Sequence, residues 1–513
     1  MTAPWWRGAV VYQVYMRSFC DSNGDGQGDL PGLISKLDYI ASLGVDAIWL
    51  SPIHPSPNRD WGYDVSDFES VHPDYGTLAD FEALLAAAHG RGMKVLLDEV
   101  LCHTSDEHAW FTESQQKDNA KSDWYVWADP RADGTAPNNW LSAFAGPAWA
   151  YKPTRRQYYH HKFLRQQPKV NWHNADARAA ALDVLDLWLK RGADGFRLDV
   201  ANAYLHDAAL TDNPPVPMAE RDGLSWEHAP NLQEHLHDSN LVENIAALDA
   251  IRRIVDRHAD RFVFGEFSEL AERSGCYAAP DEGLHSGYSF PMLLQRKLDP
   301  AFFRDYFALL AKHPAHWPCV SFSNHDVMRT VSRFGGRGAP PELAKMLLAL
   351  LFSLKGTVLM YQGEELGLPE ADLRRDQLRD PVGDLYYPRS KGRDGCRTPM
   401  PWNADAANLG FSSGAPWLPV SPLHKPLAVS AQETMASSTL NFVRGFLQMR
   451  KANPALQFGE IEFLDAPAPI LAFKRTHAAG NVLCVFNMSA NEAVFGDTRL
   501  AAYGHRISHS SSG

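Results

Sequence analysis

The sequence is short of paired cysteine. Six cysteines, Cys20, Cys102, Cys276, Cys319, Cys396 and Cys484, are scattered singly along 513 residues. No CxxC pair is available for a zinc cluster or a dithiol redox centre, and reduced thiols in a cytoplasm fit this usage. Positive charge is not in excess either: 49 Lys+Arg face 61 Asp+Glu, a net charge of -12. Such a balance argues against a surface that gathers phosphates, so nucleic acid is not expected as a partner. The longest strongly apolar run lies between Lys345 and Lys355, too short to cross a bilayer, and Met1 to Val10 lacks the basic start and apolar core of an export leader. No membrane partner is expected, and the cytoplasm is the expected location. There is no internal repeat, and no glycine-rich phosphate loop that would point to an organic cofactor.

What the chain does contain is enough apolar and aromatic residues, 45% and 11%, for a large core divided among two or three domains. Buried strands are predicted at Val11 to Met16, Asp46 to Leu50, Lys94 to Asp98, Gly195 to Asp199, Arg261 to Glu266, Cys319 to Ser323 and Thr357 to Tyr361. Helices alternate with them: Leu33 to Leu43 ended by Gly44, one begun by Thr77 with Asp80 in the capping-box position, Ala179 to Lys190, and Glu243 to His258. This α/β alternation predicts a (β/α)8 barrel of the TIM type, residues 1–102 and 175–457. It halts over 103–174, where Trp, Asn, Pro and Gly abound and no long helix is written, so that stretch is expected to be an inserted small domain after strand three. From 458 to 513 short alternating segments joined by turns such as Gly480-Asn481 predict an antiparallel β domain. Its last residues, His509 to Gly513, hold nothing that forms a core, which predicts an incomplete domain or a disordered tail.

Chemistry collects at the predicted strand ends, which in a parallel barrel line the mouth. Asp98 and His103 end the third strand, Arg197 and Asp199 the fourth, Glu266 the fifth, and Asn324-His325-Asp326 the seventh. In Gly195-Phe196-Arg197-Leu198-Asp199 the alternation of a strand aims Arg197 and Asp199 the same way. A guanidinium there holds a neighbouring carboxylate ionised, as a carboxylate nucleophile requires, and Arg197 is expected to lower the pKa of Asp199. Glu266, between Phe264 and Phe267 with other carboxylates near, is expected to keep its proton toward neutrality. A second motif, Asp21-Ser22-Asn23-Gly24-Asp25-Gly26-Gln27-Gly28-Asp29, offers oxygen ligands at alternate positions with glycines for the bend. It looks like a calcium loop, although position twelve, Gly32, lacks the EF-hand glutamate.

DEVLCH (Asp98 to His103), GFRLD (Gly195 to Asp199), GE (Gly265-Glu266) and SNHD (Ser323 to Asp326) stand in the order of the α-amylase family of glycoside hydrolases, family 13, which the chain resembles over essentially its whole length. WWRGAVVYQVY, GDGQGDLPG, WGYDVSDF, NNWLSAFAGPAW and CRTPMPW narrow the resemblance to its α-glucosidases and oligo-1,6-glucosidases. The resemblance implies Asp199 as nucleophile, Glu266 as general acid/base and Asp326 as the carboxylate that grips sugar hydroxyls, in a retaining reaction. Around the glucose it implies Asp60, Tyr63, His103, Phe163, Gln167, Arg197, Val200, His325 and Arg397. It implies a structural calcium ion held by Asp21, Asn23, Asp25, Asp29 and the carbonyl of Gln27. Two departures touch fine contacts: Lys169 stands where the family's QPDLN has an acid, and Cys102 where many members have asparagine.

The expected function is release of glucose from the non-reducing end of short α-glucosides, with transfer to acceptor alcohols, by a monomer or homodimer. On linkage the residues divide. Val200, after the nucleophile, is the residue that the resemblance associates with α-1,6 enzymes. The segment from Asn202 to Asn240 resembles a loop of proteobacterial α-glucosidases that prefer α-1,4 bonds. A loop that roofs the site excludes a bent acceptor by clash, whereas one small side chain contributes about 1–3 kcal/mol, so maltose is favoured. The alternatives are an oligo-1,6-glucosidase acting on isomaltose, or a sucrose-acting transferase or isomerase of the same fold.

Overall fold

A computed structural model describes residues 3–221, 229–268, 277–278 and 282–510. Cys276, part of the loop expected over 202–240, and the last three residues lie outside them. Eight parallel strands form the central sheet in the order β10–β11–β1–β2–β3–β7–β8–β9. They are β1 (Val10–Val14), β2 (Ala47–Leu50), β3 (Lys94–Glu99), β7 (Gly195–Leu198), β8 (Phe262–Phe267), β9 (Ser286–Ser289), β10 (Cys319–Val320) and β11 (Thr357–Tyr361). The sheet rolls into a (β/α)8 barrel. Its seam lies between β9 and β10, where Ser286 Oγ donates to the Trp317 carbonyl at 2.6 Å and meets Cys319 Sγ at 3.2 Å. Side chains on one face of the strands fill the barrel and those on the other pack under helices, which is why nearly every strand residue is buried.

Local chemistry sets the element ends. Thr77 and Asp80 form the expected capping box on the helix Leu78–His89. Asn174 caps Ala175–Lys190, whose start lies four residues earlier than the apolar pattern suggests, because Asn174 Oδ1 accepts from the backbone of Asp176 and Ala177. The helix expected over Leu33 to Leu43 is two helices, Leu30–Ser35 and Leu37–Leu43, broken at Lys36; Asp29 caps the first and left-handed Gly44 ends the second. The strand β9 was not expected. Its sequence, Ser-Gly-Tyr-Ser, carries one apolar residue, and neighbouring strands rather than composition make it extended.

The insertion between β3 and the helix Ala175–Lys190 holds a sheet of three short strands, β4 (Trp127–Ala128), β5 (Trp149–Lys152) and β6 (Gln157–His160). The C-terminal region forms a four-stranded antiparallel sheet, β12 (Glu460–Phe463), β13 (Ile470–His477), β14 (Gly480–Asn487) and β17 (His505–Ser510), beside a hairpin of β15 (Ala493–Phe495) and β16 (Thr498–Leu500). The expectation of a disordered end is corrected at His509 and Ser510, which lie in β17. Their backbone pairs with Val482 and Asn481, and an edge strand needs backbone partners more than apolar side chains. Among the described residues no helix is long and apolar enough to cross a membrane.

Candidate active site

Four neighbouring barrel strands aim their carboxyl ends at one guanidinium. Arg197, fully buried on β7, donates from Nη1 to Asp98 Oδ1 at 2.7 Å and to Asp199 Oδ1 at 2.8 Å, and its Nη2 lies 2.5 Å from Glu266 Oε1. The parallel register explains the meeting, since Asp98 on β3 pairs with Arg197, and Arg197 pairs with Phe264, two residues before Glu266 on β8. Tyr288 on β9 completes the cluster, donating its hydroxyl to Glu266 Oε1 at 2.9 Å while accepting from Arg197 at 3.1 Å. Asp98 Oδ2 accepts from Tyr63 at 2.9 Å and from Trp49 at 3.1 Å. After Asp199 the chain turns sharply. Val200 has φ +45° and its N–H points at Glu266 Oε2 across 3.4 Å. A β-branched residue in that region is strained.

Asp326 belongs to a second group of charges, held by Arg397 at 2.9 Å and Arg393 at 3.1 Å. Arg393 also reaches Asp60 at 2.6 Å and Asp380 at 2.8 Å. Gln167 donates to Asp60 at 3.0 Å and stands 3.2 Å from His103 Nε2. His325 stacks face to face on Tyr63 with ring centres 5.1 Å apart, and Gln13 fixes its other edge at 2.8 Å. The cavity, about 420 Å³, is lined by Asp60, Tyr63, His103, Phe163, Asp199, Val200, Glu266 and Asp326 among the expected residues. Gln167, Arg197, His325 and Arg397 stand behind that wall and orient it. The wall also includes Arg393, Phe144, Lys162, Asn202, His235 and Phe290, which sequence reasoning missed. Arg393 was legible in outline, since it lies four residues before Arg397 in the same basic, glycine-rich stretch. Tyr288 carried no signal of its own.

Burial dominates the electrostatics. It pushes Asp199 up to about 7 and Glu266 up to about 7, against the pull of Arg197, with Asp98 and Asp326 adding like charge at Asp199, and Asp199 and Asp326 at Glu266. The expectation that Arg197 holds Asp199 low is thereby corrected. The guanidinium does pull downward, but it is shared among three carboxylates and cannot offset the loss of water. Two acids placed so titrate as a pair that keeps one proton across neutrality. Asp326 differs. Burial opposes its ionisation, yet the His325 ring and the Arg393 and Arg397 guanidiniums outweigh it and hold the carboxyl well below the usual range.

An ionised carboxylate, a proton-bearing one and a third that stays charged thus face one small-molecule cavity. The description "Alpha amylase, catalytic domain" matches residues 13–459. The chain belongs to the α-amylase family. It is 49% identical over 501 residues to a probable α-glucosidase of Rhizobium meliloti, covering 95% of this chain and 90% of that one. It is 37% identical over 525 residues to an oligo-1,6-glucosidase of Halalkalibacterium halodurans, covering 95% and 91%. Among solved structures, an α-glucosyl transfer enzyme, XgtA, aligns with a TM-score of 0.97 at 48% identity over 99% of this chain and 100% of its own.

The two departures from the family pattern meet each other. Lys169 and Cys102 are fully buried side by side behind His103. In the loop Asp21 to Asp29, Asp21 accepts from the backbone of Asn23, Gly24 and Gly26 and from Ser412, while Asn23 and Asp25 each accept from the residue two further on. Asp29 accepts from Ser22 and caps the next helix through Gly32. The donor set is entirely oxygen, as a hard cation prefers. Asn23 Oδ1, Asp25 Oδ1 and Asp29 Oδ1 each accept one hydrogen bond and keep a lone pair, whereas both Asp21 oxygens already accept two and would have to give one up to an ion. No three His, Cys, Asp or Glu side chains converge as a metal cluster among the described residues, so an ion here would lean on Asn23 and the Gln27 carbonyl as well as on the carboxylates.

Proposed function

We propose that this α-amylase-family enzyme is a retaining, exo-acting α-glucosidase that releases glucose from the non-reducing end of short α-glucosides and transfers it to acceptor alcohols. The observation that carries the reading is the sharing of the Arg197 guanidinium by Asp199 and Glu266. It sets a nucleophile and a proton donor together at the cavity wall, with one proton between them. Glu266 gives that proton to the departing glycosidic oxygen as the Asp199 carboxylate attacks the anomeric carbon. It then takes a proton from the incoming water or alcohol as the glucosyl ester is released. Asp326, held charged by its arginines, accepts hydrogen bonds from sugar hydroxyls. Exo action on short substrates is supported by the size of the cavity, about 420 Å³, which suits a small ligand.

Preference for α-1,4 bonds is supported by Pro230, Asn231, His235 and Ser239, all on the segment after β7, which line the cavity together with Val200. Initial rates on maltose and isomaltose at equal concentration test this: maltose is turned over faster, and equal rates would overturn the assignment to the loop. Calcium in the loop Asp21 to Asp29 is proposed as a structural ion only, remote from the chemistry. A cytoplasmic location is proposed because the five described cysteines are all free and buried.

A further inference from the structure

Behind His103, a buried pair of nucleophilic side chains takes no part in the glucoside chemistry. Cys102 follows β3, and Lys169 lies on the segment that returns from the insertion toward the barrel; both are fully buried. Lys169 Nζ stands 3.4 Å from Cys102 Sγ. Both donate to the carbonyl of Ala203, the sulfur at 3.4 Å. Backbone bonds fix this approach: Val170 N–H donates to Cys102 O at 3.0 Å, and Thr104 N–H to Pro168 O at 3.2 Å. The surroundings are polar, for His160, which accepts from Lys169 N–H through its own carbonyl at 2.9 Å, has both ring nitrogens without a partner. Burial lowers the Lys169 ammonium below its usual value, whereas Lys169 and His103 hold the Cys102 thiol below its own despite burial. The nearby ammonium thus favours the thiolate, and burial favours loss of the ammonium proton once that thiolate has been consumed.

We propose that Cys102 and Lys169 form a reversible oxidative cross-link, a sulfenamide that ties the inserted segment to the barrel. The oxidant is a peroxide. The Cys102 thiolate attacks one peroxide oxygen, the S–O bond forms as O–O breaks, sulfur loses two electrons, and the departing oxygen leaves as hydroxide, which takes a proton from the Lys169 ammonium to become water and leaves the amine neutral. The Lys169 amine lone pair then attacks that sulfur. The S–N bond forms, S–O breaks, and the hydroxyl leaves with an amine proton as water. The two atoms close roughly half of their separation, which the flexible four-carbon stem of lysine permits. A thiol reductant attacks the sulfur and restores both side chains. The inference is independent of the glucoside assignment.

The test is peptide mapping of the full-length protein after exposure to hydrogen peroxide, digested without reductant. The expected result is one linked species joining the Cys102 and Lys169 peptides, lighter than their sum by two hydrogen atoms and absent after dithiothreitol. Cys102 recovered as a free thiol, or as sulfinic acid with Lys169 unlinked, would overturn the proposal.

Discussion

Arg393→Ala removes a residue that sequence reasoning passed over and that ties three carboxylates together at the cavity wall. Its guanidinium reaches Asp60 at 2.6 Å, Asp380 at 2.8 Å and Asp326 at 3.1 Å, and its side chain is 13% exposed. Removing one partner of a buried ion pair costs about 3–5 kcal/mol, because the other charge is left without compensation. Here the losses are cushioned. Asp326 keeps Arg397 at 2.9 Å, Asp60 keeps Gln167 at 3.0 Å, and Asp380 keeps the backbone N–H of residue 393. The lower figure, about 3 kcal/mol, is therefore expected. Because two of the three carboxylates line the cavity, a large share falls on the transition state, and kcat/KM for maltose drops by roughly a hundredfold at about 1.4 kcal/mol per factor of ten. Arg393→Lys recovers only part, since one ammonium cannot address three carboxylates. Steady-state rates and a thermal midpoint on the same preparations provide the check. An Arg393→Ala enzyme within fivefold of wild type, with an unchanged midpoint, would refute the reasoning.

Asp199→Ala and Glu266→Gln are each expected to abolish nearly all turnover while leaving far-ultraviolet circular dichroism unchanged, and more than a few per cent of residual rate in a variant free of wild-type enzyme would remove that residue from its role. Activity is expected to peak near neutrality and fall on both sides, as Asp199 and Glu266, each raised to about 7, must share one proton; a flat profile from pH 5 to 9 would contradict the pairing. Those raised values also have a stability consequence. The native state binds more protons than the unfolded chain between about pH 4 and 7, so these groups favour folding at low pH and oppose it as pH rises through that window. Asp199→Asn should accordingly raise the thermal midpoint at pH 8, and a lower midpoint there would count against it. Metal analysis after growth with calcium should find one ion per chain, whose removal lowers the midpoint more than the activity; a chain free of bound cation would end the calcium proposal.

Much of the architecture was legible because it rests on local signals. Asp98, Asp199, Glu266 and Asp326 each end or follow a short, near-continuous apolar run, and a parallel barrel brings such strand ends together. Caps at Thr77 and Gly44 are likewise written in adjacent residues. What could not be read depends on contacts far apart in the chain. Strand β9 is polar and short, so nothing announced Tyr288, which is joined to Glu266 and Arg197 only by the closing of the barrel. Arg393 acquires its role from three carboxylates 13, 67 and 333 residues away. The balance at Asp199 was misjudged for a related reason. A GxRxD pattern reveals the cation beside the acid but not the burial, nor the second and third carboxylates that share the same guanidinium. The end of the chain shows the converse error, since His505–Ser510 is extended by pairing with β14 rather than by any apolar pattern of its own.

The measurement that bears most directly on the account is the anomeric form of the first glucose released from maltose, followed by proton nuclear magnetic resonance before mutarotation. Asp199 acting as nucleophile, with Glu266 serving first as acid and then as base, requires two inversions, so α-glucose must appear first and the β anomer only at the rate of spontaneous exchange. β-Glucose as the initial product would mean that water, not Asp199, attacks the anomeric carbon, and would contradict the assignment.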